Sequence, residues 1–337
     1  MTDRQTRLDY IDSAKGLGMI LVVFGHLLLS DSPLYTIIYS FHMPFFFMVS
    51  GFFAKPKTKF IPYLVKQIKR LIVPFLIVFV IGVAVTFAIP SLRLDSFSDV
   101  LPLLIKARPI EINVGPIWFL ACLFDVTIIF YFNYKLILEK NKILLNFISL
   151  GVLSIVAFLI PRIESRFGIQ MPFKTDVAFM ALVFYTIGYL LKEKFLSDEF
   201  SKLSWDKIVL ILFTLPIVVL MPHYLIGQTF LSGGMFGPDL FWYLFTAFCG
   251  SVLLMVLGLL CRKIRVLQYI GKNSLIIFSV HSLVILLFNY ILKILGISAN
   301  LLTSVFGTVF VLIIMLVVSI VYNYCKKLLY YWLGNHN

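Results

Sequence analysis

Three histidines and one aspartate, His26, His42, His281 and Asp125, interrupt otherwise apolar stretches of this chain. An ionisable side chain at membrane depth is costly and marks a candidate functional site by default. An imidazole, with an unperturbed pKa of about 6.5, suits proton traffic near neutrality. Such a base can take the proton of a hydroxyl, freeing the oxygen to attack a carbonyl such as that of a thioester. A carboxylate can orient the ring and stabilise the imidazolium, as in hydrolase triads. The sequence holds no Gly-x-Ser-x-Gly elbow, which favours direct transfer over a covalent serine intermediate.

Spacing ties these groups to others. At about 1.5 Å per residue, Lys15 to His26 is roughly 16 Å of helical rise, and eleven steps of about 100° return the two side chains to one face. Asp12 falls within about 40° of that face by the same arithmetic. With Lys15 at the inner boundary, His26 lies about halfway through a ~30 Å hydrocarbon core. His42 lies roughly 12 Å into the next span, with Pro44 inviting a kink just below it. Asp125 is roughly 12 Å into a third span and His281 roughly 13 Å into a fourth. The four groups thus share a depth; their lateral facing is a matter for the structure. Each also has a plain alternative. A lone intramembrane histidine can serve only as a hydrogen-bonding link between helices, and Asp125 can be the structural partner of a histidine or of an arginine. His223 and His336 read as a loop and a tail residue and receive no role.

The elements that must position these groups are membrane helices. Of the 337 residues, 61% are hydrophobic, only 13% are charged, and 34 are Phe. A soluble domain is about 45–50% apolar and about 25% charged. Ten apolar segments approach the length of a span: 16–29, 34–53, 71–89, 117–138, 143–160, 177–191, 208–221, 241–260, 274–295 and 301–324. The expectation is an all-α polytopic membrane protein, a single integral membrane domain over residues 1–337. Most of the 29 Lys and Arg fall in alternate connections, densest at Lys55, Lys57, Lys59, Lys66, Lys69 and Arg70. The positive-inside rule then puts both termini in the cytoplasm. The net charge of +13 is explained this way, and nucleic acid is not an expected partner; membrane lipids are. The polar N-terminus lacks a cleavage signal, so the first span is expected to be retained. Cys122, Cys249, Cys261 and Cys325 form no C-x-x-C motif, so neither a disulfide framework nor a zinc site is expected.

Two opposite-side connections are longer than a turn requires. One, 90–116, carries Arg93, Asp95, Asp99, Lys106, Arg108 and Glu111. The other, 222–240, carries His223, Gln228, Gly233, Gly234 and Asp239. Such loops either meet an external substrate or are solvated connectors.

Four blocks taken in order resemble the acyltransferase-3 family of membrane O-acyltransferases, near its fucose 4-O-acetylase group. They are Lys15 with His26; the run from Ser40 through His42, Met43 and Pro44 to Gly51, Phe52 and Phe53; Gly115–Pro116–Ile117–Trp118–Phe119–Leu120; and Ile270–Gly271–Lys272–Asn273–Ser274–Leu275 with His281. Many relatives carry Arg where Lys15 stands here, and Lys lacks the bidentate fork. The resemblance implies a bacterial plasma-membrane enzyme that takes an acetyl group from acetyl-CoA, with succinyl as a variant, and no metal. The acceptor would be a hydroxyl of a cell-envelope polysaccharide or its precursor. By the same resemblance His26 would be the catalytic base, Lys15 its basic partner and a contact to the donor's phosphates, and His42 the second catalytic candidate, with Trp118 and His281 toward the substrate. Depth adds Asp125 to the catalytic set, and the cationic inner loop adds Lys69 and Arg70 as donor-binding residues. The cationic stretch Lys55–Arg70 would attract the polyanionic donor. The residues by themselves leave two other readings open. One is a transporter that relays protons through the buried set; the other is a polysaccharide exporter or assembly factor without catalysis.

Overall fold

The structure, a computed structural model, describes residues 3–88, 98, 100–107, 114–168, 171–221, 227, 229 and 231–334. Arg93, Asp95, Asp99, Arg108, Glu111, His223, Gln228 and His336 lie outside them. The regular structure among the described residues is helical. In chain order the helices are α1 (Asp3–Leu27), α2 (Pro33–Phe52), α3 (Phe60–Gln67), α4 (Val73–Ala88), α5 (Val100–Lys106), α6 (Trp118–Leu136) and α7 (Ile143–Phe167). They continue as α8 (Thr175–Phe195), α9 (Asp198–Ser201), α10 (Trp205–Leu220), α11 (Leu240–Leu260), α12 (Arg265–Lys272), α13 (Ser274–Ile294) and α14 (Leu301–Gly334).

Eight helical stretches are long and apolar enough to cross a membrane, among them 33–52, 60–88, 115–136 and 274–294. The chain is therefore an all-helical, multi-pass membrane protein. Two expected spans fall outside that set of eight. Segment 16–29 lies in α1, whose first half carries Asp9, Asp12 and Lys15, and segment 208–221 lies in the 16-residue α10. The span expected from residue 71 begins earlier, because α3 runs through a π-helical turn at Ile68–Ile72 into α4.

Lipid offers no hydrophobic gain between helices, so close backbone approach through small residues holds such bundles together. Two crossings show it. A Cβ on Gly271 would lie 1.8 Å from the Asp12 carbonyl oxygen, and one on Gly16 would lie 2.2 Å from that of Leu267. Only glycine at both points lets α1 and α12 touch main chain to main chain. Gly51 and Gly188 do the same for α2 and α8: a Cβ on either would lie 2.0 Å from a carbonyl oxygen, that of Tyr185 or of Met48. Helix α2 is central and almost wholly buried, from Ile38 to Val49. It continues through Pro44 to Phe52 as one helix, losing only the amide that would have reached the Ser40 carbonyl.

Candidate functional site

Three helices each carry one stripe of side chains at three-, four- or seven-residue intervals, the spacing that keeps residues on a single face. On α1 the stripe is Lys15, Met19, His26. On α2, running the other way, it is His42, Phe46, Ser50 and Phe53. On α13, with Lys272 just before it, it is Ser274, Phe278, His281. In each, one end is an imidazole and the half away from it carries a charged or polar group.

The halves away from the imidazoles surround a cavity of about 200 Å³. Lys15, Arg70 and Lys272 line it, with Ser50 and Ser274 as neutral polar groups and Met19, Phe46, Phe119, Leu123 and Phe278 as apolar wall. The Gly16–Gly271 crossing brings α12 against α1 and so sets Lys272 beside Lys15. Both lysines are partly neutralised. Lys15 Nζ lies 2.8 Å from Asp12 Oδ1, and Lys272 Nζ lies 3.9 Å from Asp9 Oδ1. Arg70 lies in the π-helical turn. It is exposed and appears in no ion pair among the described residues.

The imidazole ends gather beyond the aromatic wall. Phe119 packs on Phe278 at 4.9 Å between ring centroids, and Phe278 on His281 at 5.8 Å. The His281 ring then lies 5.3 Å from that of His26. Tyr39 stands between the other pair, 6.1 Å from the His26 ring and 4.7 Å from that of His42. His281 and His42 are buried, at 0% and 2% exposure, whereas His26, in the last turn of α1, is exposed.

Hydrogen bonds fix which nitrogen is available. His42 Nδ1 lies 2.7 Å from the Ile38 carbonyl, and His281 Nδ1 lies 3.1 and 2.9 Å from those of Ile277 and Phe278. A carbonyl only accepts, so in both neutral rings Nδ1 carries the hydrogen and Nε2 holds a lone pair. His281 Nε2 is buried without a hydrogen-bond partner. A buried bare acceptor costs about 1–3 kcal/mol, a cost that a bound proton donor would relieve. The arrangement can thus take a proton at one imidazole and hold it near a second, on the far side of the Phe119–Phe278 wall from the cationic cavity.

Not every expected site residue joins this group. Asp125 does not reach the imidazoles; its Oδ2 accepts from Thr175 Oγ1 at 2.7 Å. Six positions separate it from Phe119, so at about 100° each it points about 120° away from the cavity wall. The equal depth of Asp125 and the histidines is real in sequence but not lateral in space. Trp118 is 9% exposed and packs on Phe47 and Phe119 without lining the cavity. Lys69 is exposed and also off the cavity, unlike its neighbour Arg70. Four polar residues of the site were not expected. Ser50 lies inside the Ser40–Phe53 block, Lys272 and Ser274 lie inside the Ile270–Leu275 block, and Tyr39 lies three residues before His42 on the same helix face; those were the available signals.

A family model described as an acyltransferase domain, that of the acyltransferase-3 family, matches residues 8–324. The match covers nearly the whole chain and takes in every residue of the stripes. The chain belongs to this family and is a membrane acyltransferase. Neither the curated proteins nor the solved structures provide a match.

Proposed function

We propose that this membrane acyltransferase moves a short acyl group, acetyl first and succinyl as the variant, from cytoplasmic acyl-CoA to a hydroxyl of a bacterial cell-envelope glycan or its precursor. The observation that carries the reading is the set of three stripes, each joining a polar or cationic half to an imidazole end. Coenzyme A is polyanionic at one end and neutral along its pantetheine arm. Lys15, Arg70 and Lys272 supply the matching charge, and electrostatic focusing into a cationic mouth raises local donor concentration. Ser50, Phe46, Phe119 and Phe278 suit the arm and the acyl group, since a chamber with few polar groups gives those few their directing effect. The resulting orientation places the thioester beside His281 and His26.

In this reading His26 is the general base. The acceptor hydroxyl gives its proton to the imidazole as its oxygen bonds to the thioester carbon. The C–S bond then breaks, and the proton leaves the imidazole for the departing sulfur, giving an ester and a free thiol. No net proton is gained or lost. His281 holds its unpaired Nε2 at the same place and receives or lends the proton as the charge moves. The exposure of His26 gives the acceptor a way in that does not pass the cationic mouth. We assign donor binding to Lys15, Arg70 and Lys272, proton handling to His26 and His281, and support from behind Tyr39 to His42. The reaction is carried out in one integral membrane unit in the bacterial plasma membrane.

The test is release of free thiol by the purified protein supplied with acetyl-CoA and an envelope glycan, read alongside mass spectrometry of the glycan. Acetylated glycan with the wild type, and none with a folded His26→Ala variant, is the expected pair. Full activity in that variant, or a glycan that gains no acyl group, would overturn the reading.

A further inference from the structure

We infer that the hydroxyls of Ser50 and Ser274 clamp one amide of the donor's pantetheine arm, the amide nearer the phosphates, and so set the depth at which the thioester stops. The inference rests on the reading of the cavity as an acyl-CoA site and assigns the part of the donor that no charge can hold.

The first observation is what these hydroxyls touch. A serine inside a helix can return its hydroxyl to the carbonyl four residues back. Ser154, Ser251, Ser279 and Ser319 do so, at 2.7–2.8 Å. Ser50 and Ser274 make no hydrogen bond among the described residues, and both line the cavity. They are the neutral polar side chains of its lining; the other polar ones are Lys15, Arg70 and Lys272. A hydroxyl donates and accepts. Two of them in a largely aromatic wall suit a neutral group that does both, which is what an amide does.

The second observation is register. On α2 the order is Ser50, Phe46, His42, and on α13 it is Ser274, Phe278, His281, with steps of three or four residues on each helix. Both phenylalanines line the cavity. Ser50 stands about 12 Å of helical rise from His42, and Ser274 about 10.5 Å from His281. The hydroxyls are therefore level with each other, between the imidazoles and the lysines, since Lys15 and Lys272 lie about 16 and about 13 Å from the histidines of their stripes by the same rise.

The arm can be measured against this frame. An extended chain advances about 1.2 Å per bond. From the carbonyl carbon of the amide nearer the phosphates, eight bonds lead to the sulfur, a reach of about 10 Å. From the other amide the reach is about 5 Å, which would stop the thioester short of the Phe119–Phe278 wall. Only the first amide can lie between the hydroxyls while the thioester passes that wall to the imidazoles. A trans amide points its C=O and its N–H in opposite directions. One hydroxyl then donates to the oxygen and the other accepts from the nitrogen, one from each helix. No covalent bond changes at either serine. They are positioning residues, and the donor class they select is a thioester on a phosphopantetheine arm.

The experiment separates arm from charge. Calorimetry on the purified protein compares CoA with adenosine 3′,5′-diphosphate, which keeps the phosphates and lacks the arm. Ser50→Ala and Ser274→Ala should each weaken CoA threefold to tenfold, the effect of one neutral hydrogen bond, and leave the diphosphate unchanged. Arg70→Ala should weaken both ligands. Ser279→Ala, whose hydroxyl is already bonded to Leu275, should weaken neither. A CoA analogue with an ester oxygen in place of that amide nitrogen has no N–H to give, and should bind the wild type threefold to tenfold less tightly than CoA. With acetyl-CoA both serine variants should lower kcat as well as raise KM, because a thioester held at the wrong depth reacts slowly. Undiminished CoA binding in both serine variants, equal losses for CoA and the diphosphate, an analogue bound as tightly as CoA, or an unchanged kcat would each overturn the inference. Wild-type protein that binds no CoA would remove the donor reading and the clamp together. The expected binding pattern without acyl transfer to glycan would leave the clamp standing and remove only the transfer.

Discussion

The rings of His26 and His281 lie 5.3 Å apart and meet at 43°, although 255 positions of sequence separate them. Nothing local brings them together. One closes α1 and the other sits in the middle of α13, and the contact exists because α12 is pressed onto α1 through paired glycines before α13 begins. Proton exchange between two imidazoles needs this proximity, so substitution at either should be costly. Purified His26→Ala and His281→Ala should each lose about a hundredfold or more in kcat, with helical content by circular dichroism unchanged. Retention of wild-type turnover in both would remove proton handling from this pair.

The cationic mouth should govern donor affinity rather than chemistry. Arg70→Ala and Lys272→Ala should raise KM for acyl-CoA severalfold and leave kcat nearly intact, the pattern of lost uniform binding. The wild type should show a rising KM with added salt, since exposed charges are screened over about 8 Å at physiological ionic strength. Lys69→Ala serves as the control. Its side chain lies off the cavity, so it should change neither constant much.

Packing at the glycine crossing should be unforgiving. Gly271→Val places carbon where the Asp12 carbonyl already stands, which forces α12 away from α1. Overpacking of this kind costs about 1–3 kcal/mol, visible as earlier thermal unfolding in detergent. The same displacement carries Lys272 from Lys15, so donor affinity should fall with it. Unchanged stability and affinity would mean that the crossing does not position the mouth.

Asp125 offers a negative prediction. Its hydrogen-bond partner is Thr175, not an imidazole, so Asp125→Asn should leave turnover close to wild type. Asp125→Leu removes an acceptor and should cost about 1 kcal/mol of stability. Collapse of kcat in the folded Asn variant would place the carboxylate in the chemistry after all.

What could be read in advance divides along a physical line. Position along a helix axis follows from counting residues, and the segments carrying His26, His42 and His281 were placed at one depth by counting alone; in space the three do gather. Position around a helix axis depends on which neighbour each face meets, and no count supplies that. Asp125 and Trp118 were assigned by depth and by motif, and both turn toward packing contacts instead. Lys69 and Arg70 differ by one step of about 100°, and only Arg70 faces the cavity. Tyr39 carries no signal of its own in the sequence, because its contact with His26 comes from another helix. The span expected over 71–89 starts earlier than its apolar run, since Lys66, Lys69 and Arg70 suggest a loop where α3 and a π-helical turn extend the helix.

That turn has a consequence for mutation of a different kind. Five residues, Ile68–Ile72, are wound more loosely than the α-helix on either side, and such bulges hold one residue beyond what α winding needs. Deleting a single amino acid there would let the helix rewind tightly while the flanking segments keep nearly the same relative facing, because the looser turn covers with five residues about the angle that α winding covers with four. Arg70, inside the turn, would be re-aimed by tens of degrees relative to both flanks with its chemistry untouched. A one-codon loss at this spot therefore re-aims a positive charge instead of removing it, and inheritance of this region is sensitive to length as much as to residue identity.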